Sequence, residues 1–124
     1  MNVPTLILSF TLALAGPAWA ADKHAHTPKH GGVVVEGKYG DYELEARPAL
    51  IRLHVSDHGQ PADLSKTSAK LTLLSGSEKQ EVVLKPAGDK LEASGTFQVG
   101  PGTKAVATVT TPGRSVVNLR FVLK

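Results

Sequence analysis

Two β-strands and the turn between them can be read from residues 41–56, DYELEARPALIRLHVS. Every second residue is apolar in DYELEA and again in IRLHVS, and a period of two is typical of a strand with one apolar face. Arg47-Pro48-Ala49 supplies the turn between the two halves. We therefore predict an antiparallel pair in which the acidic row containing Glu43 and Glu45 faces Arg52 and His54 across the ladder.

The rest of the chain from Val33 onward repeats this pattern of short apolar runs separated by turn residues, and no run carries the apolar stripe of a helix. The predicted strands cover residues 33–35, 41–46, 51–56, 69–73, 82–84, 91–97, 106–110 and 117–123. This spacing predicts an all-β fold, an antiparallel immunoglobulin-like β-sandwich of 7–8 strands over residues 33–124. The paired Cys and core Trp of true immunoglobulin domains are missing from this region.

The first 32 residues predict two segments ahead of this domain. Residues 1–20 carry no charge, and their apolar run, Leu6–Ala15, is followed by Gly16-Pro17 and then Ala18-Trp19-Ala20. The run is shorter than the roughly 20 residues that cross a bilayer. We expect a signal peptide cleaved between Ala20 and Ala21, export to the periplasm, and no membrane span in the mature protein. Residues 21–32 are polar and His-rich, which predicts a flexible arm.

The composition excludes several kinds of site. The chain has 124 residues, no Cys, and a single Met at position 1, which rules out disulfides, thiolate metal sites and iron–sulfur clusters. Its Lys and Arg residues are scattered and its aromatic residues are few, which argues against nucleic-acid binding. No nucleophile elbow, HExxH motif or Gly-rich phosphate loop is present, and we predict no enzymatic activity.

The distribution of histidine is the strongest functional indication. All five His lie between residues 24 and 58, and residues 59–124 contain none. His24, His26 and His30 lie on the arm, where three imidazoles within seven residues would suit a divalent transition metal such as Cu²⁺, Zn²⁺, Ni²⁺ or Co²⁺. The alternative is a solvated polar tail whose His residues bind nothing.

The other two His belong to the predicted third strand and the turn after it. His54 is a candidate ligand, but we favour a role in cross-strand pairing with the acidic row, which is worth a few tenths to about 1 kcal/mol. His58 lies in the turn that begins at Asp57, and it is either a ligand or an exposed turn residue. Glu36 is interpreted as an ordinary charge at the end of a strand.

Several motifs also carry a family resemblance. They are His30-Gly31-Gly32, GDYELE at residues 40–45, LHVSDHGQP at residues 53–61, LKPAGDKL at residues 84–91, and Arg120-Phe121. Together they resemble small periplasmic proteins of bacterial heavy-metal resistance systems. They are also similar to a domain in the periplasmic adaptor subunits of metal-exporting resistance-nodulation-division pumps.

The resemblance implies a β-sandwich that binds or senses a divalent or cuprous metal ion in the periplasm, with His30 as its best-matched ligand and Glu43 or Glu45 as carboxylate partners. Because the long hairpin, lipoyl-like and barrel segments of the pump adaptors are missing, we do not expect an adaptor. The lack of Met in the mature protein disfavours Cu(I).

These observations predict a periplasmic transition-metal-binding protein that acts as a buffer, as a carrier, or as an accessory to a heavy-metal efflux pump, with a periplasmic pump subunit as a partner. His24, His26 and His30 would supply most ligands, followed by His58 and then His54. The alternative is a metal-indifferent interaction module, in which an edge strand or a loop of the sandwich binds a protein partner.

Overall fold

The fold is an antiparallel all-β arrangement, described by a computed structural model for residues 27–57 and 60–124. Its strands are β1 (Val33–Gly37), β2 (Gly40–Ala46), β3 (Leu50–Asp57), β4 (Gln60–Pro61), β5 (Ser68–Ser75), β6 (Glu78–Ala87), β7 (Lys90–Ser94), β8 (Lys104–Thr110) and β9 (Val117–Val122). The two-residue β4 pairs only with the end of β3. The remaining eight strands confirm the predicted sandwich-like all-β fold. The predicted signal peptide and the first half of the predicted arm, residues 21–26, lie outside the described residues.

The strands form a nearly closed sheet in the order β1-β2-β3-β7-β6-β5-β8-β9. The long strand β6 joins the two layers, because its residues 78–84 pair with β5 and its residues 85–87 pair with β7. The two ends of the order, β1 and β9, pack against each other. A Cβ added at Gly37 would overlap the ring of Tyr42 and lie 3.1 Å from Cδ2 of Leu119 of β9, so this glycine leaves room for both side chains. No helix in the described part of the chain is long and apolar enough to cross a membrane.

The core lies between the layers and follows from the alternation in each strand. Leu71 and Leu73 of β5 are buried, as are Leu119 and Phe121 of β9, while the residues between them face outward. The large side chains with less than 2% exposure include Leu44, Ile51, Leu53, Leu84 and Leu91. A domain of this size without disulfides depends on this apolar burial for its stability.

The seventh strand is shorter than the sequence predicts. The sequence predicts a strand over residues 91–97, whereas β7 ends at Ser94. Beyond Ser94 the chain leaves β3 and binds the turn between β2 and β3, because the N–H of Gly95 donates to the carbonyl of Ala49 at 3.2 Å and the N–H of Phe97 donates to that of Pro48 at 2.7 Å. These bonds hold the β2–β3 turn from outside the ladder.

Candidate functional site

The pairing of β2 with β3 confirms that the acidic row faces Arg52 and His54 across the ladder, and the structure adds the register. Glu43 lies opposite His54, and Glu45 lies opposite Arg52. The alternation predicts an exposed polar face on these strands, whereas Glu43 and Glu45 on that face are only 6% and 7% exposed. Two carboxylates so deeply buried need several hydrogen-bond or ionic partners.

Glu43 obtains its partners from the backbone of residues 29–32. Its Oε2 accepts hydrogen bonds from the N–H of His30 at 2.8 Å and of Gly32 at 2.9 Å. Its Oε1 accepts one from the N–H of Lys29 at 2.9 Å and lies 3.1 Å from Nδ1 of the His30 ring. One carboxylate therefore fixes both the backbone and the side chain at the end of the predicted arm.

The two glycines of His30-Gly31-Gly32 explain how the chain reaches this carboxylate. Gly31 has a φ of +74°, a left-handed conformation that non-glycine residues adopt at a cost. A Cβ at Gly32 would overlap the carbonyl oxygen of Leu44 and lie 3.1 Å from Cγ of Glu43. The first glycine therefore turns the chain, and the second lets the backbone lie directly against β2.

Glu45 is held by side chains instead. Its Oε1 lies 3.1 Å from Nε2 of His54 and 4.0 Å from the Arg52 guanidinium, and its Oε2 lies 2.8 Å from the guanidinium of Arg47. Arg52 also contacts Glu92 of β7 at 3.2 Å. Glu45 is thus part of a charged network that spans three strands.

Both carboxyl groups are held in the ionised form. Burial is the largest single influence on the pKa of Glu43 and raises it, but the N–H groups of Gly32, Lys29 and His30 and the His30 ring together bring the pKa below its usual value. For Glu45, burial again raises the pKa most, and the hydrogen bond to His54 with the charges of Arg47, His54 and Arg52 outweighs it, so that this pKa is also lowered. The cluster therefore holds two negative charges at neutral pH.

The two imidazoles of this cluster are stacked on each other. The ring centroids of His30 and His54 are 3.6 Å apart, and the ring planes differ by 2°. Each ring turns one nitrogen to its own carboxylate, Nδ1 of His30 to Glu43 and Nε2 of His54 to Glu45. Nε2 of His30 and Nδ1 of His54 are therefore the nitrogens that remain for an external ligand.

The stacking limits what the pair can coordinate. The lone pair of an imidazole nitrogen lies in the ring plane, and two parallel planes 3.6 Å apart do not converge on one ion at about 2.0–2.1 Å from both nitrogens. Within residues 27–57 and 60–124, no group of three or more His, Asp or Glu side chains is arranged to hold a metal ion. In this arrangement, one metal ion can be bound by His30 or by His54, but not by both.

The structure brings together four of the seven residues proposed from the sequence, namely His30, His54, Glu43 and Glu45. His24, His26 and His58 lie outside the described residues. The sequence reasoning did not identify Arg47 and Glu92 as part of this network. Glu92 alternates with Leu91 and Ala93, which was the available indication that it shares the outer face with Arg52.

Comparison with known proteins adds no assignment to this geometry: no protein-family model, no curated protein and no solved structure matches the chain.

Proposed function

We propose that this protein binds a divalent transition-metal ion in the periplasm and acts as a buffer, as a carrier, or as an accessory to a heavy-metal efflux system. The observation that carries the proposal is the contact between His30 and the buried Glu43, with Nδ1 and Oε1 at 3.1 Å. Metal-binding imidazoles commonly donate their second nitrogen to a carboxylate, which fixes the ring and makes the coordinating nitrogen a stronger donor.

Of the two oriented imidazoles, His30 is the better ligand. Its side chain is 44% exposed, whereas that of His54 is 16% exposed. Because the stacked rings do not share an ion, His54 acts as the surface against which His30 is positioned, and Nε2 of His30 coordinates the metal. This assignment makes His54 a positioning residue.

The remaining ligands would come from the other imidazoles of the N-terminal half. His26 precedes His30 by four residues, a separation that spans at most about 14 Å of extended chain. His24 lies two residues earlier, and His58 follows β3. Because the hydrogen bonds of residues 29–32 to Glu43 fix the C-terminal end of the arm, binding a metal would order only a short additional length of chain.

The donor set favours Zn²⁺, Cu²⁺, Ni²⁺ or Co²⁺. Imidazole suits these ions, whereas Cu(I) prefers thiolate and thioether ligands. The chain has no Cys, and its one Met is residue 1, within the predicted signal peptide. The proposed partner, a periplasmic subunit of a metal-efflux pump, follows from the family resemblance.

A matched pair of variants tests the proposal. In calorimetric titrations of the mature protein with each of the four ions, we expect micromolar or tighter binding of at least one. His30→Phe keeps a ring that can stack on His54 but removes the ligand, and it should weaken binding at least ten-fold. His54→Phe keeps the stacking surface and should weaken binding less than His30→Phe.

The arm is tested separately. The triple variant with His24, His26 and His30 all changed to Ala should lose binding, and mass spectrometry of the N-terminus should establish which of these residues the mature protein contains. Equal affinity in the wild type and the triple variant would contradict the proposal. Absence of binding for all four ions would do the same, and the Glu43 contacts would then serve only to attach residues 29–32 to the fold.

A further inference from the structure

The outer surface of β5, β6, β8 and β9 is a second feature with functional meaning. Alternate residues of these strands are buried, which places the intervening side chains outward. The register aligns Lys79 with Leu74, Leu74 with Lys104, and Lys104 with Val122 across the four strands. We name this surface the basic face, and define it by Lys70, Lys79, Lys104, Arg120, Glu81, Leu74, Val83 and Val122.

The basic face carries a large share of the charge of the protein. It holds four cations and one carboxylate, a formal charge of +3 that equals the formal net charge of the whole chain. The outward-facing side of the other layer has the opposite formal sign, with Glu36, Asp41, Glu43, Glu45 and Glu92 against Arg52, Lys85 and Lys90. The molecule is therefore polarised between its two layers.

Exposed apolar side chains are also concentrated on the basic face. In the described part of the chain, the exposed large hydrophobic residues are Leu74, Val83, Val116 and Val122, and three of these four belong to the basic face. Val83 and Val122 are each 57% exposed. Aliphatic side chains interspersed with Lys and Arg on one face of a sheet suit a surface that is both anionic and partly apolar.

We propose that the basic face binds the surface of a bilayer rich in anionic lipids. A lipid surface fits better than a protein partner for two reasons. Three of the four cations are Lys, which is depleted in protein–protein interfaces, and the face has no Tyr or Trp of the kind that dominates their binding energy. The four strands together form a face only about 15 Å wide at the usual strand spacing. The area of such a face is small for a stable protein interface.

This binding would be weak, salt-dependent and oriented. Each basic residue near an anionic bilayer strengthens binding about five-fold, so a net charge of three corresponds to about a hundred-fold at low ionic strength. Salt would reduce this effect, because the charges are exposed and the Debye length falls to about 3 Å at 1 M. The layer that carries His30 and His54 would face away from the lipid.

Vesicle co-sedimentation tests the proposal, with phosphatidylcholine vesicles that either contain about one third phosphatidylglycerol or lack it. We expect the wild type to sediment with the anionic vesicles at low salt and to be released at high salt. The double variant Lys70→Glu/Lys104→Glu changes the basic face from +3 to −1 and should bind at least ten-fold more weakly.

The matched control is Lys38→Glu/Lys66→Glu, which has the same net charge but leaves the basic face unchanged, and it should retain binding. Circular dichroism should show that both variants keep the fold. Failure of the wild type to bind anionic vesicles at low salt would overturn the proposal. Equal loss of binding in the two double variants would also overturn the proposal, since net charge would then explain the effect. Binding to polyglutamate in preference to the vesicles would overturn it as well.

Discussion

Replacing Glu43 by Gln tests how the end of the arm is attached to the sheet. The carboxylate accepts hydrogen bonds from the N–H groups of Lys29, His30 and Gly32, two on Oε2 and one on Oε1. A Gln side chain has one oxygen, and placing it at the Oε2 position retains two of these bonds without the charge. Its NH₂ group would then face the N–H of Lys29, and two donors would oppose each other.

The magnitude follows from these contacts. Hydrogen bonds to a charged group contribute about 1.5–3 kcal/mol each and neutral ones about 0.5–1.5 kcal/mol. Losing one charged bond and weakening two to neutral ones gives a gross loss of about 3.5–6 kcal/mol. Residues 29–32 can detach and bond to water, which limits the cost, so we expect the free energy of unfolding to fall by about 2–3 kcal/mol.

Urea unfolding measures the loss of overall stability, and amide hydrogen exchange measures the detachment of residues 29–32 from Glu43. In Glu43→Gln, the amide of Lys29 should lose its protection, and those of His30 and Gly32 should become less protected because their acceptor is no longer charged. The control Glu45→Gln alters a carboxylate of similar burial that contacts only side chains, so it should leave these amides protected. Unchanged protection of His30 and Gly32 in Glu43→Gln would refute the reasoning, as would an equal loss in the two variants.

Three further predictions concern stability. Gly32→Ala should lower the free energy of unfolding, measured with urea, by about 2 kcal/mol or more, because the new Cβ would overlap the carbonyl of Leu44. The Cβ of Gly31→Ala meets no neighbour, so this variant should lose only the roughly 1–2 kcal/mol that the left-handed conformation costs. Leu71→Ala should lower the free energy of unfolding by about 2–5 kcal/mol because Leu71 is fully buried. The control Leu74→Ala, at a residue that is 37% exposed, should lower it by less than about 1 kcal/mol. Equal effects of the two variants would contradict the placement of Leu71 in the core. Both Glu43 and Glu45 have a lowered pKa in the folded protein, so their contribution to stability is present above about pH 4.5 and is lost as the pH falls through the folded pKa. The urea concentration at the midpoint of unfolding should therefore decrease as the pH falls below 4.5, and it should decrease less steeply in a variant with both residues changed to Gln.

Much of the sheet could be predicted from the sequence because its strands are locally encoded. The alternation on both sides of Arg47-Pro48-Ala49 was sufficient to predict that the row of Glu43 and Glu45 faces Arg52 and His54. The structure adds the register, in which Glu43 meets His54 and Glu45 meets Arg52. A period of two together with a short turn leaves few alternative pairings.

The burial of Glu43 could not be predicted in the same way, because it depends on residues 29–32, which carry no periodicity. Only the left-handed conformation of Gly31 and the close approach of Gly32 to Leu44 place those amides over β2. The end of β7 at Ser94 likewise depends on a nonlocal contact, between Phe97 and the carbonyl of Pro48. Such contacts join segments distant in sequence, and local patterns do not encode them.

The central claim, that His30 coordinates a metal while Glu43 fixes its ring, is tested most directly by ¹⁵N NMR of the imidazoles. The mature protein would be titrated with one equivalent of Zn²⁺, which is diamagnetic. We predict that Nε2 of His30 moves to the position of a metal-bound nitrogen, while Nδ1 stays protonated and bonded to Glu43. If the imidazole signals of His30 remain unchanged at excess Zn²⁺, the claim is contradicted for this ion.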